Sequence, residues 1–183
     1  IDRACWALGF NKYERKRGPI LIEHSVLCEM LKRMPLRGYG DLCRIVSLAG
    51  NWSAWHENAE ILLAQGTIAP EQVITCREDV MDYLVRRGCE REMALEIMEH
   101  VGRGNASAKR QEQPEECFAP QQWKAMQACG AEKWFVESCR KVRWLNDNRA
   151  YSAAEADCLA RLVWYALHAP EETARVLAET GEE

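Results

Sequence analysis

The 183-residue sequence lacks the features that mark membrane, secreted and β-rich proteins. No apolar run approaches the roughly 20 residues that a membrane-spanning helix needs, so we expect no membrane association. Strand-like alternation of apolar and polar residues is almost absent, which argues against a β-sheet protein. No secretory signal pattern is visible, and we predict a cytoplasmic protein.

Metal-ligand and nucleophile patterns are also missing. The nine cysteines form no CxxC pair and have no histidine nearby at ligand spacing, so we predict free thiols and no metal site. The four histidines have no serine or cysteine at a spacing that suggests a hydrolytic dyad. We therefore predict no catalytic residue in this chain.

A global positive charge is absent as well. The 24 Lys and Arg are outnumbered by 28 Asp and Glu, giving a net charge of −4, so any polyanion site must be local. One local basic patch accompanies the apolar stretch "AEKWFVESCRKVRWL" and contains Arg140, Lys141, Arg143 and, just past its end, Arg149. Acidic residues close by leave a second interpretation open, namely a solvated helix face.

Apolar residues at helical spacing are what the sequence does contain. They predict an all-α protein, an irregular fold of roughly eight helices in two lobes. We predict a lead-in at 1–23, an N-terminal lobe at 24–103, a linker at 104–119 and a C-terminal lobe at 120–183. The polar, Gly- and Pro-bearing stretch from 102 to 120 predicts a long mobile connection or a boundary between lobes.

Helix signals refine this picture. Ser53 is a predicted N-cap for "NWSAWHENAEILLAQG", and Thr75 with Glu78 has the spacing of a capping box for "CREDVMDYLVRRG". Val85 is expected to face inward, and Gly88 to end that helix. The tryptophans at 52, 55, 123, 134, 144 and 164 lie mostly at apolar-periodic positions, so we predict core roles for them in preference to base stacking.

Three strings in a fixed order carry a resemblance to a known family. They are "LCRIVSLAGNWSAWHENAEILL", "GTIAPEQVITCREDVMDYLVRRGCEREMALEIMEHVGRG" and "WFVESCRKVRWLNDNRAYSAAEADCLARLVWYALHAP". In content and spacing they resemble the fingers region of the alpha subunit of Gram-positive bacterial DNA polymerase III, the PolC type. The resemblance covers about residues 24 to 170 and does not reach the palm, which implies a diverged or partial relative lacking the palm.

The resemblance implies cationic and donor side chains that face the triphosphate of an incoming nucleotide and the template. For nucleotide phosphate it implies Arg77, Arg149 and Tyr151. For DNA, Arg44 and Arg161 match the family, and the local patch adds Arg140, Lys141 and Arg143. The implied partners are primer-template DNA and deoxynucleotides, with a polymerase palm or a replication protein.

The sequence departs from the family at several of these positions. Ala49 and Gly50 replace a Ser-His pair, while Arg149 and Tyr151 replace a Lys and a His. Arg149 keeps the positive charge, whereas Tyr151 offers one hydrogen bond without charge. Phosphoryl transfer needs two Mg²⁺ held by clustered acids, and nothing in residues 1–23 resembles the family's palm aspartates. We expect no cofactor bound by this chain, Mg²⁺ only where a palm is supplied elsewhere, and no polymerase activity from the chain alone.

Two functions remain open from the sequence. The first is a DNA- and nucleotide-binding, fingers-like module that is not catalytic on its own. The alternative is a degenerate polymerase-like helical protein-interaction domain with no nucleotide site, which the lost Ser-His and Lys-His pairs and the acidic net charge favour. Arg77 carries the same ambiguity, because it is either a phosphate contact or an exposed helix-start arginine paired with Glu78 or Asp79.

Overall fold

The computed structural model describes residues 24–49, 51–109, 112–145 and 150, with isolated positions between 153 and 171. Every regular element in these stretches is a helix, which confirms the predicted all-α class. Within them, no helix combines the length and the apolar character needed to cross a bilayer. The predicted lead-in at 1–23 lies outside the described residues.

The helices follow one another closely along the chain. In order they are α1 His24–Arg33, α2 Tyr39–Ala49, α3 Trp52–Ala54, α4 Glu60–Ala64, α5 Arg77–Arg86, α6 Arg91–Gly102, α7 Asn105–Ala108, α8 Pro120–Ala128 and α9 Lys133–Lys141. Single 3₁₀ turns occur at Pro70–Gln72 and Pro114–Cys117. Gly88 adopts φ 86° just after α5, the left-handed conformation that ends helices, as predicted, and Gly130 adopts φ 65° just after α8.

One hydrophobic cluster runs through the described helices. It reaches from Met30 on α1 to Leu145 after α9, and its large side chains with at most 1% exposure include Leu48, Ile97 and Phe135. Burying one such side chain contributes about 1.5–3 kcal/mol. Because residues before and after 104–119 belong to the same cluster, the helices on the two sides of this segment share a core.

The helices α5 and α6 form a hairpin that is fastened to the turn between α8 and α9. The ring of Tyr83 on α5 stacks on Phe135 with centroids 3.8 Å apart and meets Trp134 edge-on at 5.4 Å. Arg87 lies over the same tyrosine ring and donates a hydrogen bond to the Gly130 carbonyl at 2.8 Å. The hairpin is therefore held by aromatic packing and by a polar clamp at its tip.

The segment 104–119, predicted to be a mobile connection or a boundary between lobes, contains folded elements where the structure describes it. It contains α7 and the turn Pro114–Cys117, and Ala106, Cys117 and Phe118 are 0%, 1% and 5% exposed. The Cys117 thiol donates to the Lys109 carbonyl at 3.1 Å. These three small and apolar side chains anchor the segment to the core. The average composition of the segment is polar, so composition alone does not indicate them.

Two predicted helix starts are wrong in detail. Asn51 caps α3, because its side-chain oxygen accepts the Ala54 N–H at 3.2 Å, whereas Ser53 lies inside the helix. At α5 the capping acid is Asp79 and not Glu78, since Asp79 Oδ2 accepts the Thr75 and Cys76 N–H groups at 2.8 and 3.1 Å.

One predicted inward position is also wrong. Val85 is 40% exposed, whereas Val80 and Leu84 on the same helix are fully buried. The buried stripe of α5 is therefore narrower than the apolar stripe of its sequence.

Candidate nucleic-acid interface

Residues 51–58 and 138–144 are joined by side-chain hydrogen bonds, and we call this contact the seam. Asn58 Nδ2 donates to the Ser138 carbonyl at 3.2 Å, Lys141 Nζ to the Glu57 carbonyl at 2.7 Å, the Arg143 N–H to Ser53 Oγ at 2.9 Å, and Asn51 Nδ2 to the Trp144 carbonyl. The seam brings together the first and third of the strings that carry the family resemblance.

A sharp kink within residues 51–58 of the seam leaves the Glu57 carbonyl available to the Lys141 side chain. The sequence predicts one continuous helix here, but His56 has ψ 134° and Glu57 has φ 53°, so α3 and α4 are separated. A left-handed conformation at a residue other than glycine costs about 1–2 kcal/mol. The Lys141 ammonium group offsets this cost by donating a hydrogen bond to the Glu57 carbonyl.

The second string joins the same place through two glycines. The Leu145 N–H donates to the Gly102 carbonyl at 3.1 Å, and Leu145 is fully buried. At Gly104, where φ is 75°, an added Cβ would lie 2.1 Å from the Arg143 carbonyl oxygen. Residues 143–145 therefore lie where all three strings meet, and this junction requires a glycine at 104.

Exposed rings and a cation lie along the seam. Trp52 and Trp144 are 56% and 47% exposed, so the predicted core role is wrong for these two tryptophans. The Arg143 side chain is exposed, and Trp52 stacks on His56 with ring centroids 4.5 Å apart. We call Trp52, His56, Arg143 and Trp144 the aromatic–basic edge.

The core prediction holds for other tryptophans. Trp55 and Trp134 are 2% and 9% exposed and belong to the hydrophobic cluster. Trp123 is half-buried against it. Apolar periodicity predicts a core position correctly for these three tryptophans. It predicts the same position for Trp52 and Trp144, which are exposed at the seam.

Arg140, a predicted DNA contact, lies inside the protein. It is 8% exposed, its Nε donates to Cys117 Sγ at 3.2 Å, and its Nη1 is 2.8 Å from Glu137 Oε1. Its Nη2 also donates to the Glu112 carbonyl. The guanidinium thus fastens the segment before α8 to α9. Burial lowers the pKa of Arg140, but the contacts to the Cys117 thiol and to Glu137 together outweigh burial and leave that pKa raised.

Arg77, a predicted phosphate contact, begins α5 as expected but its side chain crosses to α6. Its Nη1 lies 3.1 Å from both oxygens of Glu99, and the side chain is 13% exposed. An added Cβ at Gly102 would come within 2.7 Å of Arg77 Nε, so the aliphatic part of the arginine lies flat on that glycine. The side chain is therefore not the exposed one that the second interpretation expected, and Arg103 shares the interhelical ion pair by contacting Glu99 at 3.1 Å.

Arg44, a predicted DNA contact, lines a cavity of about 560 Å³ between α2 and α5. Its Nη1 is 3.8 Å from Asp41 Oδ1 and its side chain is 32% exposed. The same cavity is lined by Asp82, Arg86 and Arg87, so it carries charges of both signs. Arg44 therefore faces a mixed electrostatic surface, and no residue of the seam lines its cavity.

The remaining predicted site residues, Arg149, Tyr151 and Arg161, lie outside the described residues.

The described donor set does not fit a pair of Mg²⁺ ions. No three His, Cys, Asp or Glu side chains of the described stretches are grouped for metal binding. Asp79, which lines the cavity, already uses Oδ2 to accept hydrogen bonds at the start of α5.

Three residues that shape the edge were not identified from the sequence. Asn51 both caps α3 and holds the Trp144 carbonyl, Gly104 admits the Arg143 backbone, and Trp52 forms the outer ring. The asparagine before "WSAW" was the available signal, because Asn is a preferred N-cap. Nothing local marks Gly104, since its neighbour is distant in sequence.

The fold and the edge define a helical region that presents aromatic rings and a cation on one surface, and comparison with known proteins supplies its family. No protein-family model matches the chain. The chain is similar to DNA polymerase III PolC-type of Mycoplasma pneumoniae, with 31% identity over 170 residues, 93% of this chain and 10% of that protein. The proteins of the same name from Mycoplasma genitalium and Thermotoga maritima are 29% identical over 171 residues and 27% identical over 141 residues.

These matches cover 93% and 77% of this chain but only 10% and 9% of the two proteins. The chain thus spans about a tenth of the length of the curated relatives that it matches. It is a partial PolC-like region, which confirms the resemblance drawn from the three strings.

Proposed function

We propose that this chain is a DNA- and nucleotide-binding, fingers-like module related to part of a replicative polymerase, and that it is not catalytic on its own. The observation that carries the proposal is the junction at residues 143–145. There the three strings shared with PolC-type proteins meet, and they leave Arg143 and two tryptophans exposed. An exposed cation on the same seam as aromatic rings suits the phosphates and bases of nucleic acid.

The proposed contacts divide by accessibility. Arg143 contacts DNA phosphate from the seam, and Arg44 contacts DNA from the mouth of its cavity. Arg140 and Lys141 act as positioning residues, because their charged groups already hold the segment before α8 and the Glu57 carbonyl. Arg149, Tyr151 and Arg161 keep the phosphate and DNA roles that the family resemblance implies. Mg²⁺ and the acids that hold it come from a polymerase palm outside this chain.

Arg77 can reach a nucleotide phosphate only when its ion pair with Glu99 opens. Glu99→Gln removes the competing negative charge and leaves a side chain of the same size. If Arg77 binds phosphate, this variant should bind deoxynucleoside triphosphate more tightly than wild type, and Arg77→Ala should bind it less tightly. Unchanged affinity in both variants would assign Arg77 a purely structural role.

Titration of fluorescently labelled primer-template DNA tests the main proposal. We expect binding that weakens with salt, since each protein–phosphate contact releases counterions and adds about 0.9 to the slope of log K against log salt. Arg143→Ala should weaken binding and lower that slope, whereas Lys124→Ala removes one exposed charge from α8 and serves as the matched control. A matched deoxynucleotide with Mg²⁺ should tighten binding.

The alternative, a helical protein-interaction domain without a nucleotide site, has one structural observation in its favour. Arg77 and Arg140, two of the predicted phosphate or DNA contacts, are engaged with Glu99 and Glu137 inside the protein. Absence of DNA binding at low salt by a folded chain would favour this alternative. Equal affinity of wild type and Arg143→Ala would remove the edge from the proposed interface.

A further inference from the structure

Trp52 and His56 form an aromatic pair on the outer side of the kink. Their rings are stacked at an interplanar angle of 25°, with centroids 4.5 Å apart. Trp52 is 56% exposed and the His56 side chain is 45% exposed. The pair therefore leaves a large aromatic surface open to solvent, although an indole of this size stabilises a fold most when it is buried.

The orientation of the pair is fixed by its surroundings. Asn51 caps the turn that carries Trp52, and His56 Nδ1 lies 3.2 Å from Glu60 Oε1. The same Glu60 oxygen accepts the Glu57 N–H at 2.7 Å, so the Glu60 carboxylate lies against the kink. A ring held in this way loses little side-chain freedom when a flat ligand stacks on it.

Charges of both signs lie near the pair: the Glu60 carboxylate contacts His56, Glu57 is exposed beside it, and Arg143 supplies a cation from across the seam. The Arg143 N–H is bonded to Ser53, the residue after Trp52, and the Arg143 side chain is exposed. Trp144 adds a second exposed ring, because its carbonyl is held by Asn51, the residue before Trp52. Exposed rings and a cation on one seam suit the bases and phosphates of a single strand.

We propose that the Trp52–His56 pair is a stacking platform for an unpaired base of single-stranded DNA, with Arg143 contacting the adjoining phosphate. This inference rests on the proposed DNA-binding function and specifies which form of DNA the edge takes. Paired bases in a duplex have their faces covered by neighbouring bases, whereas an unpaired base offers a free face to Trp52. Stacking tolerates any base sequence, so the platform selects single-stranded DNA without reading sequence.

The test measures binding of the 183-residue chain to two labelled DNAs, a blunt duplex and the same duplex with an oligothymidine 5′ overhang. Trp52→Ala should weaken binding to the overhang DNA by about 5-fold to 150-fold and leave binding to the blunt duplex unchanged. Trp52→Phe retains a ring and should keep most of the affinity. Leu95→Ala, which truncates a 46% exposed side chain on α6, is the matched control and should bind both DNAs as wild type does.

An overhang of abasic residues provides a second measurement that does not depend on a variant. It keeps the phosphates and removes the bases, so wild type should lose affinity for it by a factor similar to the Trp52→Ala effect. If Trp52→Ala binds overhang DNA as well as Leu95→Ala does, the platform is refuted, while an Arg143-dependent affinity would leave the DNA-binding function standing. If wild type binds neither DNA at low salt, the DNA-binding function itself is refuted.

Discussion

Gly104→Ala is the change that most directly tests how residues 143–145 are held. Gly104 has φ 75°, and an added Cβ would lie 2.1 Å from the Arg143 carbonyl oxygen. Gly66 has a similar φ of 65°, but an added Cβ there meets nothing within 4 Å. Gly66→Ala is therefore a matched control that has the same backbone strain without the collision.

The magnitude follows from separating these two effects. The left-handed conformation costs an alanine about 1–2 kcal/mol at either site, and the reduced entropy of the unfolded chain cancels between the two variants. At residue 104 the carbonyl oxygen must also move from 2.1 Å to at least 3.0 Å. This displacement breaks the bonds from the Leu145 N–H to Gly102 and from the Arg143 N–H to Ser53.

Each of these hydrogen bonds contributes about 0.5–1.5 kcal/mol. Gly104→Ala should therefore be less stable than Gly66→Ala by about 1–3 kcal/mol. Urea unfolding followed by far-ultraviolet circular dichroism measures both variants against wild type. Equal destabilisation of the two variants, within about 0.5 kcal/mol, would show that residues 143–145 do not press on Gly104.

Three further predictions concern single side chains. Arg77→Ala should lower the free energy of unfolding by about 2 kcal/mol, because it removes a hydrogen-bonded partner of Glu99. Arg91 at the start of α6 is exposed, so the control Arg91→Ala should change the free energy of unfolding by less than about 0.5 kcal/mol. Equal effects of the two variants in urea unfolding would argue against the Arg77 clamp. Burial, reinforced by nearby acids, raises the pKa of the Cys76 thiol to about 12, so a maleimide at neutral pH should label half-buried Cys43 in the folded protein and Cys76 only after unfolding, as peptide mass spectrometry can determine. Since the ordinary thiol pKa is 9.0, the unfolded chain loses the Cys76 proton at lower pH than the folded chain, and the free energy of unfolding should fall as pH rises from about 9 towards 12. Cys76→Ala should reduce that fall, and identical pH profiles for the variant and the wild type would contradict the raised pKa of Cys76.

Much of the fold is predictable because local chemistry dictates it. The apolar stripes of α1, α2, α5 and α6 and the turn at Gly88 follow from periodicity and backbone preference. The kink at Glu57 is not predictable in this way. Its strain is compensated by Lys141, a residue far along the chain, and no local pattern reports that bond.

The candidate site divides along the same line. The sequence identifies which residues carry positive charge, and its three strings predict the PolC-type relationship. It does not indicate which arginines are available to a ligand. Arg77 and Arg140 are engaged with Glu99 and Glu137, while Arg143 remains exposed, and this distinction depends on which helix packs beside each side chain.

The helical class, the end of α5 at Gly88 and the family are thus readable from the sequence. Helix formation and capping depend on residues a few positions apart, and family resemblance depends on order along the chain. The clamp from Arg77 on α5 to Glu99 on α6 and the exposure of Trp52 and Trp144 become visible in the folded chain alone. The physical reason is that burial and ion pairing are set by neighbours in space. Here those neighbours are separated by tens of residues in sequence, from Asn51 to Trp144 and from Gly104 to Arg143.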